Sequence, residues 1–126
     1  MFKILKKNQL APQVFKFLLE APDIAKKALP GQFIIIRLDE TGERIPITIS
    51  DADPTQGTLT LYVQAIGKTS LEMSRMKADD YILDVVGPLG NPSLIDLFGT
   101  VMLVGGGFAI AAIHPIARAL TQAGNK

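Results

Sequence analysis

The sequence predicts a mainly β fold, a small barrel or sandwich, followed by the opening βα unit of a parallel α/β domain. From Phe2 to Val86, short β-branched and aromatic runs alternate with Gly, Pro, Asn and Asp turn signals at hairpin spacing. From Phe98 the pattern changes to one apolar run, a triple glycine and a helical stretch. The length of 126 residues suits one domain, or one small domain with part of another, and 48% apolar against 20% charged residues suits a folded core.

Taken in order, Phe2 to Lys7 and Val14 to Leu19 read as strands, the second followed by a turn at Ala21 to Asp23. Pro30-Gly31 starts a β-branched run from Phe33 to Leu38, and Asp39 to Gly42 is a hairpin turn. Arg44 to Ser50 alternates as one strand, and Asp51 to Gly57 closes a hairpin into a strand from Thr58 to Ile66. A short helix is expected over Ser70 to Lys77, then a strand from Tyr81 to Val86 that ends at Gly87 to Gly90. Asn91-Pro92-Ser93 starts a helical turn through Leu97, and a domain boundary is placed there: 1–97 as the β domain, 98–126 as the start of an incomplete nucleotide-binding domain. Val101 to Val104 reads as a strand, and a helix runs on to about Gln122. Its start is expected near Ala111 to His114, so that Pro115 falls in the first turn. A lone βα unit cannot cover both its faces, so the chain is expected to be part of something longer or to lean on another chain through residues 101–120.

Charge and composition exclude several classes. Thirteen Lys and Arg against twelve Asp and Glu leave no strong field, so neither nucleic acid nor an anionic membrane is an expected partner. Zero cysteines remove disulfides, thiolate metal sites and iron–sulfur ligation from this chain, and the single His114 has no acidic or nucleophilic partner at useful spacing; no metal site and no catalytic side chain are assigned. Phe98 to Ile113 carries no charge, but Gly105 to Gly107 interrupt it and His114-Pro115 follow, so a buried strand, turn and helix are expected rather than a membrane span. With no leader pattern, a cytoplasmic setting is expected.

Three patterns carry candidate chemistry, each with a plain alternative. Gly105, Gly106 and Gly107, between a strand and a helix, admit a phosphate to backbone N–H groups, or simply allow tight packing; Ile110 stands where the dinucleotide fingerprint has its third glycine. Pro46, inside Arg44 to Ile49, forfeits a ladder bond and belongs on an edge or beside a ligand. There Thr48 offers a hydroxyl and an amide to a heterocycle nitrogen, with Pro46 and Ile47 as apolar contacts; the alternative is an ordinary edge strand with Arg44 at the surface. Gly67 to Ser70 is either a helix cap or an anion site at which amides, two hydroxyls and Lys68 converge.

Six stretches, in this order and spacing, carry a resemblance: Glu20-Ala-Pro22, Pro30-Gly-Gln-Phe33, Arg44-Ile-Pro-Ile-Thr-Ile49, Ile66-Gly-Lys-Thr-Ser70, Gly87-Pro-Leu-Gly90, and Val104 to Ala111 with His114 to Leu120. Together they resemble the flavin-binding front half of the ferredoxin–NADP reductase superfamily, over essentially the whole chain. Within it they are most similar to the small subunits of NADH-dependent ferredoxin:NADP oxidoreductases, also described as sulfide dehydrogenase subunits, and to the electron-transfer subunits of dihydroorotate dehydrogenases. The resemblance implies a six-stranded antiparallel Greek-key flavin-binding barrel followed by a nucleotide-binding domain, with FAD in the cleft between them. It implies that Pro46, Ile47 and Thr48 line the flavin ring, that Tyr62, Val63 and Gln64 run beside the cofactor, that Gly67, Thr69 and Ser70 hold the pyrophosphate, and that Gly105 to Gly107 meet NAD(P) phosphates. It implies electron transfer between NAD(P)H and an iron–sulfur partner, such as ferredoxin or a larger flavin and iron–sulfur subunit, with any cluster outside this chain and no turnover by these residues alone. Ile45 stands where many relatives have a phosphate-facing arginine, so that Arg44 substitutes or the contact is missing, and Ala109 replaces a loop glycine. A non-catalytic docking module is the alternative of a different class.

Overall fold

A computed structural model describes all residues, Met1–Lys126. The backbone ladders form two antiparallel sheets, not one closed ladder. The larger has the order β5-β6-β2-β1-β7 and the smaller β4-β3-β8. Their strands are β1 (Phe2–Ala11), β2 (Val14–Glu20), β3 (Phe33–Arg37), β4 (Ile45–Thr48), β5 (Asp51–Asp53), β6 (Thr58–Gln64), β7 (Tyr81–Ile82) and β8 (Asp84–Leu89). Helices α1 (Pro22–Ala25), α2 (Lys68–Arg75) and α3 (Ile110–Gln122) complete the fold, the last preceded by a 3₁₀ turn at Gly107–Ala109. No helix is long and apolar enough to cross a membrane.

The period-two alternation of β2 and β6 sets the core. Phe15, Phe17 and Leu19 of β2 and Leu59, Leu61 and Val63 of β6 point inward, in a register that pairs Phe17 with Leu61 and Leu19 with Leu59. Ile34 and Ile36 of β3, Ile4 of β1 and Met73 of α2 close the same cluster, each fully buried. Burying one such side chain is worth about 1.5–3 kcal/mol. Gly57, at φ +71°, makes the β5–β6 turn, and a methyl group there would meet Cβ of Pro22 at 2.9 Å.

Several expectations are corrected. Arg44 to Ser50 is not one strand: β4 belongs to the small sheet, and the chain turns a corner so that the Ile49 N–H bonds Gln32 while the Ser50 N–H bonds Thr60 in the large sheet. Tyr81 to Val86 is likewise divided between sheets at Leu83, and β8 then continues through the cis Gly87-Pro88 bond to Leu89. The turn expected at Ala21 to Asp23 is a single helical turn with Pro22 at its first position. No helix forms over Asn91 to Leu97.

The strand expected at Val101 to Val104 does not form. A strand exists only by pairing, and no other strand of this chain lies alongside; the Val101 N–H bonds the Lys126 carbonyl instead, at 2.8 Å. Helix α3 does form, but it starts at Ile110, so that Pro115 lies within it and not in its first turn. The proline has no N–H for the carbonyl of Ala111, four residues back. That carbonyl is taken by the hydroxyl of Ser50, at 2.8 Å, which satisfies the acceptor that the interior proline leaves open.

Candidate functional site

Three elements wall a cleft of about 420 Å³: strand β4, the end of β6 with the first turn of α2, and the start of α3. Pro46, Ile47, Thr48, Tyr62, Val63, Gln64, Gly67, Thr69 and Ser70 all line it. The site residues expected from three separate stretches of sequence therefore share one hollow.

Strand β4 is the open edge of the small sheet, paired only with β3. Its register sets Phe33 opposite Thr48 and Ile34 opposite Ile47, and the Ile49 N–H bonds the Gln32 carbonyl at 3.2 Å. In an antiparallel pair, hydrogen-bonded and non-bonded residues alternate. The backbone groups of Ile45, Ile47 and Ile49 thus face β3, while the Pro46 carbonyl and the Thr48 N–H face out from the edge. Proline is tolerated here because its missing N–H would have pointed away from the sheet. Ile47 and Val63 are 8% and 4% exposed and belong to the core, so the polar offering on this side is the backbone of β4 with the Thr48 hydroxyl.

The opposite wall presents the N-terminus of α2. Its cap is Gly67, with no side chain to receive the first helical amides, and no side-chain cap bond is made. The Ser70 hydroxyl instead reaches back, accepting the N–H groups of Gly67 at 2.9 Å and Ile66 at 3.1 Å. What remains for an anion is the backbone amides of Lys68, Thr69 and Ser70, the positive end of the helix, and the Lys68 ammonium. The Thr69 hydroxyl, almost wholly buried, donates to Glu43 at a long 3.5 Å. Beside the cleft, Asp39 is held below its usual carboxylate range, first by the Thr41 hydroxyl, then by the Thr41 amide, with smaller contributions from the Gly42 amide and the charge of Lys68.

Other expected residues lie elsewhere. Arg44 does not line the cleft: it points to Asp84, 3.8 Å away, a carboxylate already gripped by Arg37 at 2.7 Å. The cleft therefore has no arginine among its lining residues. Of the three glycines, Gly107 borders a second hollow with Tyr62 and His114, and neither Gly105 nor Gly106 lines the cleft. A methyl group on Gly105 would meet Ile113 at 2.1 Å, which is the tight-packing alternative, whereas one on Gly106 would meet nothing. The sequence reading missed Glu43, Ile66 and the Phe108–Ala112 wall. Only the position of the last, directly after the glycine turn, signalled it.

An open strand edge and an uncapped helix N-terminus bordering one hollow could hold a flat heterocycle carrying phosphate. No family model matches the chain. It is 53% identical over 123 residues to the dihydroorotate dehydrogenase B (NAD(+)) electron transfer subunit homolog of Thermotoga maritima, covering 98% of this chain and 44% of that protein. It superposes with a TM-score of 0.98 and 52% identity on a chain of the NADH-dependent reduced ferredoxin-NADP oxidoreductase, covering 100% of this chain and 46% of that one. Phthalate dioxygenase reductase, at 21% identity and a TM-score of 0.77, shares the fold. The chain is thus similar over nearly its whole length to an electron transfer subunit homolog and to a ferredoxin-NADP oxidoreductase chain, shares the ferredoxin reductase fold, and spans less than half the length of these relatives.

Proposed function

We propose that this chain holds FAD as the front part of an electron-transfer subunit that passes electrons between NAD(P)H and an iron–sulfur partner. One observation carries the reading: the unpaired Thr48 N–H on the β4 edge and the uncapped amides of α2 open into one cleft, as a ring nitrogen and a pyrophosphate on the same molecule require. The residues present fit the group. Pro46 and Thr48 would flank the ring, Tyr62 and Gln64 the linking chain, and Gly67, Thr69 and Ser70 the pyrophosphate, chiefly through backbone amides. Bound there, a flavin supplies the exchange between hydride and single-electron chemistry, which no side chain of this protein offers. The chain's own part is to orient the ring, keep water from one face and set its hydrogen bonding.

The boundary near residue 98, the meeting of Gly105 to Gly107 with NAD(P), a cytoplasmic setting and an iron–sulfur cluster on another segment or subunit belong to the same proposal. So does a covering partner for residues 101–120, whether a larger reductase subunit, ferredoxin in transit or a second copy; exposed Met102, Val104 and Ile110 support it. The name of the Thermotoga maritima relative favours a second reading, the electron-transfer subunit of a dihydroorotate dehydrogenase. Titrating the purified chain with FAD, followed by the visible spectrum and flavin fluorescence, tests the common core of both. Saturable quenching with a perturbed spectrum is expected; free-flavin spectra up to high micromolar FAD would leave only the docking alternative.

A further inference from the structure

The wall of the cleft formed by Phe108–Ala112 is fastened to the β module at few points. Within α3 only Pro115 and Leu120 are buried, and a hollow of about 110 Å³ separates the helix from Leu29-Pro30 and Ala52. Two polar contacts bridge that loose packing, and both come from adjacent residues of one corner. The Ser50 hydroxyl, 2% exposed as a residue, donates to the Ala111 carbonyl that Pro115 leaves without a helical donor. Asp51 receives both terminal nitrogens of Arg118, one of them at 3.2 Å. The far end of α3 is held separately: Asn125 accepts the amides of Phe98 at 2.6 Å and Gly99 at 2.9 Å, and donates to Asp96 at 2.7 Å and Leu120 at 2.9 Å.

We infer that Ser50 and Asp51 are positioning residues that set the width of the cleft. Ser50 follows Thr48 by two residues, so the corner that grips α3 directly continues the strand forming the opposite wall. Proline at position 115 makes the grip directional. It leaves one carbonyl in the first half of the helix without a helical donor, and the corner hydroxyl meets it; an ordinary residue there would add a helical bond to the same carbonyl, so that Ser50 would share it. With the corner contacts removed, α3 stays tied at Asn125 and swings at its N-terminal half, carrying Phe108–Ala112 away from β4. That the cleft so widened is a flavin cleft rests on the function proposed above; the latch itself does not.

The test compares the full chain with Ser50→Ala, Ser50→Ala/Asp51→Asn and, as the conservative variant, Ser50→Thr. Amide hydrogen exchange is read by mass spectrometry without cofactor, and iodide quenching of flavin fluorescence with it. In the double variant, exchange over residues 107–118 should rise roughly tenfold, while 120–125 and β6 keep their protection. Ser50→Thr should restore the wild-type pattern. Unchanged exchange over 107–118, or a rise spread equally over β6, overturns the latch. Iodide access to FAD should rise in parallel with exchange; a cleft that opens by exchange while quenching stays constant overturns the link to cleft width. If the wild-type chain takes up no FAD, the flavin reading fails, and the exchange measurement still decides the latch.

Discussion

Residues 1–97 and residues 98–126 are held by different kinds of force, and the cleft lies where they meet. The first part has nineteen buried apolar residues in one cluster and antiparallel ladders in two sheets. In the second, only Pro115, Leu120 and Asn125 are buried, and order comes from single polar contacts: the Asn125 hub, the Ser50 hydroxyl and the Arg118–Asp51 pair. An apolar core spreads its stabilisation over many small contacts, so it tolerates the loss of any one polar group. A segment fixed by three polar anchors responds locally and distinctly to each. The rigid part thus supplies the strand edge and the helix terminus of the cleft, and the lightly held part supplies its adjustable wall.

The largest effect that sharpens this contrast is expected from Phe17→Ala, which empties the centre of the β core. It should cost about 3–5 kcal/mol in denaturant unfolding and lower protection throughout the chain. Leu120→Ala should instead loosen α3 alone; loss of β6 protection in that variant would break the distinction between the two regions. Next comes Asn125→Ala, which leaves the Phe98 and Gly99 amides without their acceptor. A local cost of about 1–3 kcal/mol is expected, read as faster exchange over 96–126 with an unchanged midpoint for the β module. Gly57→Ala forces a left-handed φ on a residue with a Cβ against Pro22 and should cost about 1–2 kcal/mol in the stability of the β module.

The smallest effect is electrostatic. The Asp39 carboxyl titrates below its ordinary value because Thr41 bonds its charged form, so its contribution is present above the unfolded-state value and is lost as pH falls through the folded one. The group is fully exposed, so the response should be confined to the 39–42 turn. An acid titration of the Thr41 and Gly42 amide resonances measures it, and a transition at or above the usual aspartate value would contradict the assignment.

How much of this was legible in the sequence follows from what each signal reports. β2 and β6 show in the letters because strict alternation states which face is buried, and Pro46 marked an edge because a central strand cannot spare its N–H. The corners at Ile49-Ser50 and Leu83 left no trace because no Gly or Pro marks them in the letters, although burial breaks step at both: Ile49 and Ser50 are buried in succession, and Ile82 and Val85 are three residues apart. Val101 to Val104 has strand composition without a partner, and composition does not report pairing. The start of α3 is not legible because the hydroxyl that offsets Pro115 belongs to Ser50, 61 residues before the Ala111 carbonyl it meets and beyond any local window. The site was legible as three motifs; that they face one another, and that Arg44 turns to Asp84, depends on sheet register and on Asp84 sitting opposite Arg37.

The central claim is that the β4 edge and the α2 terminus hold the two ends of one phosphate-bearing heterocycle. Following the backbone amide resonances of the isotope-labelled chain through an FAD titration tests it most directly. The account predicts that Thr48, Lys68, Thr69 and Ser70 shift together and saturate at a single equivalent. Saturable binding that moves other amides while leaving Thr48 and the first turn of α2 unmoved would contradict it.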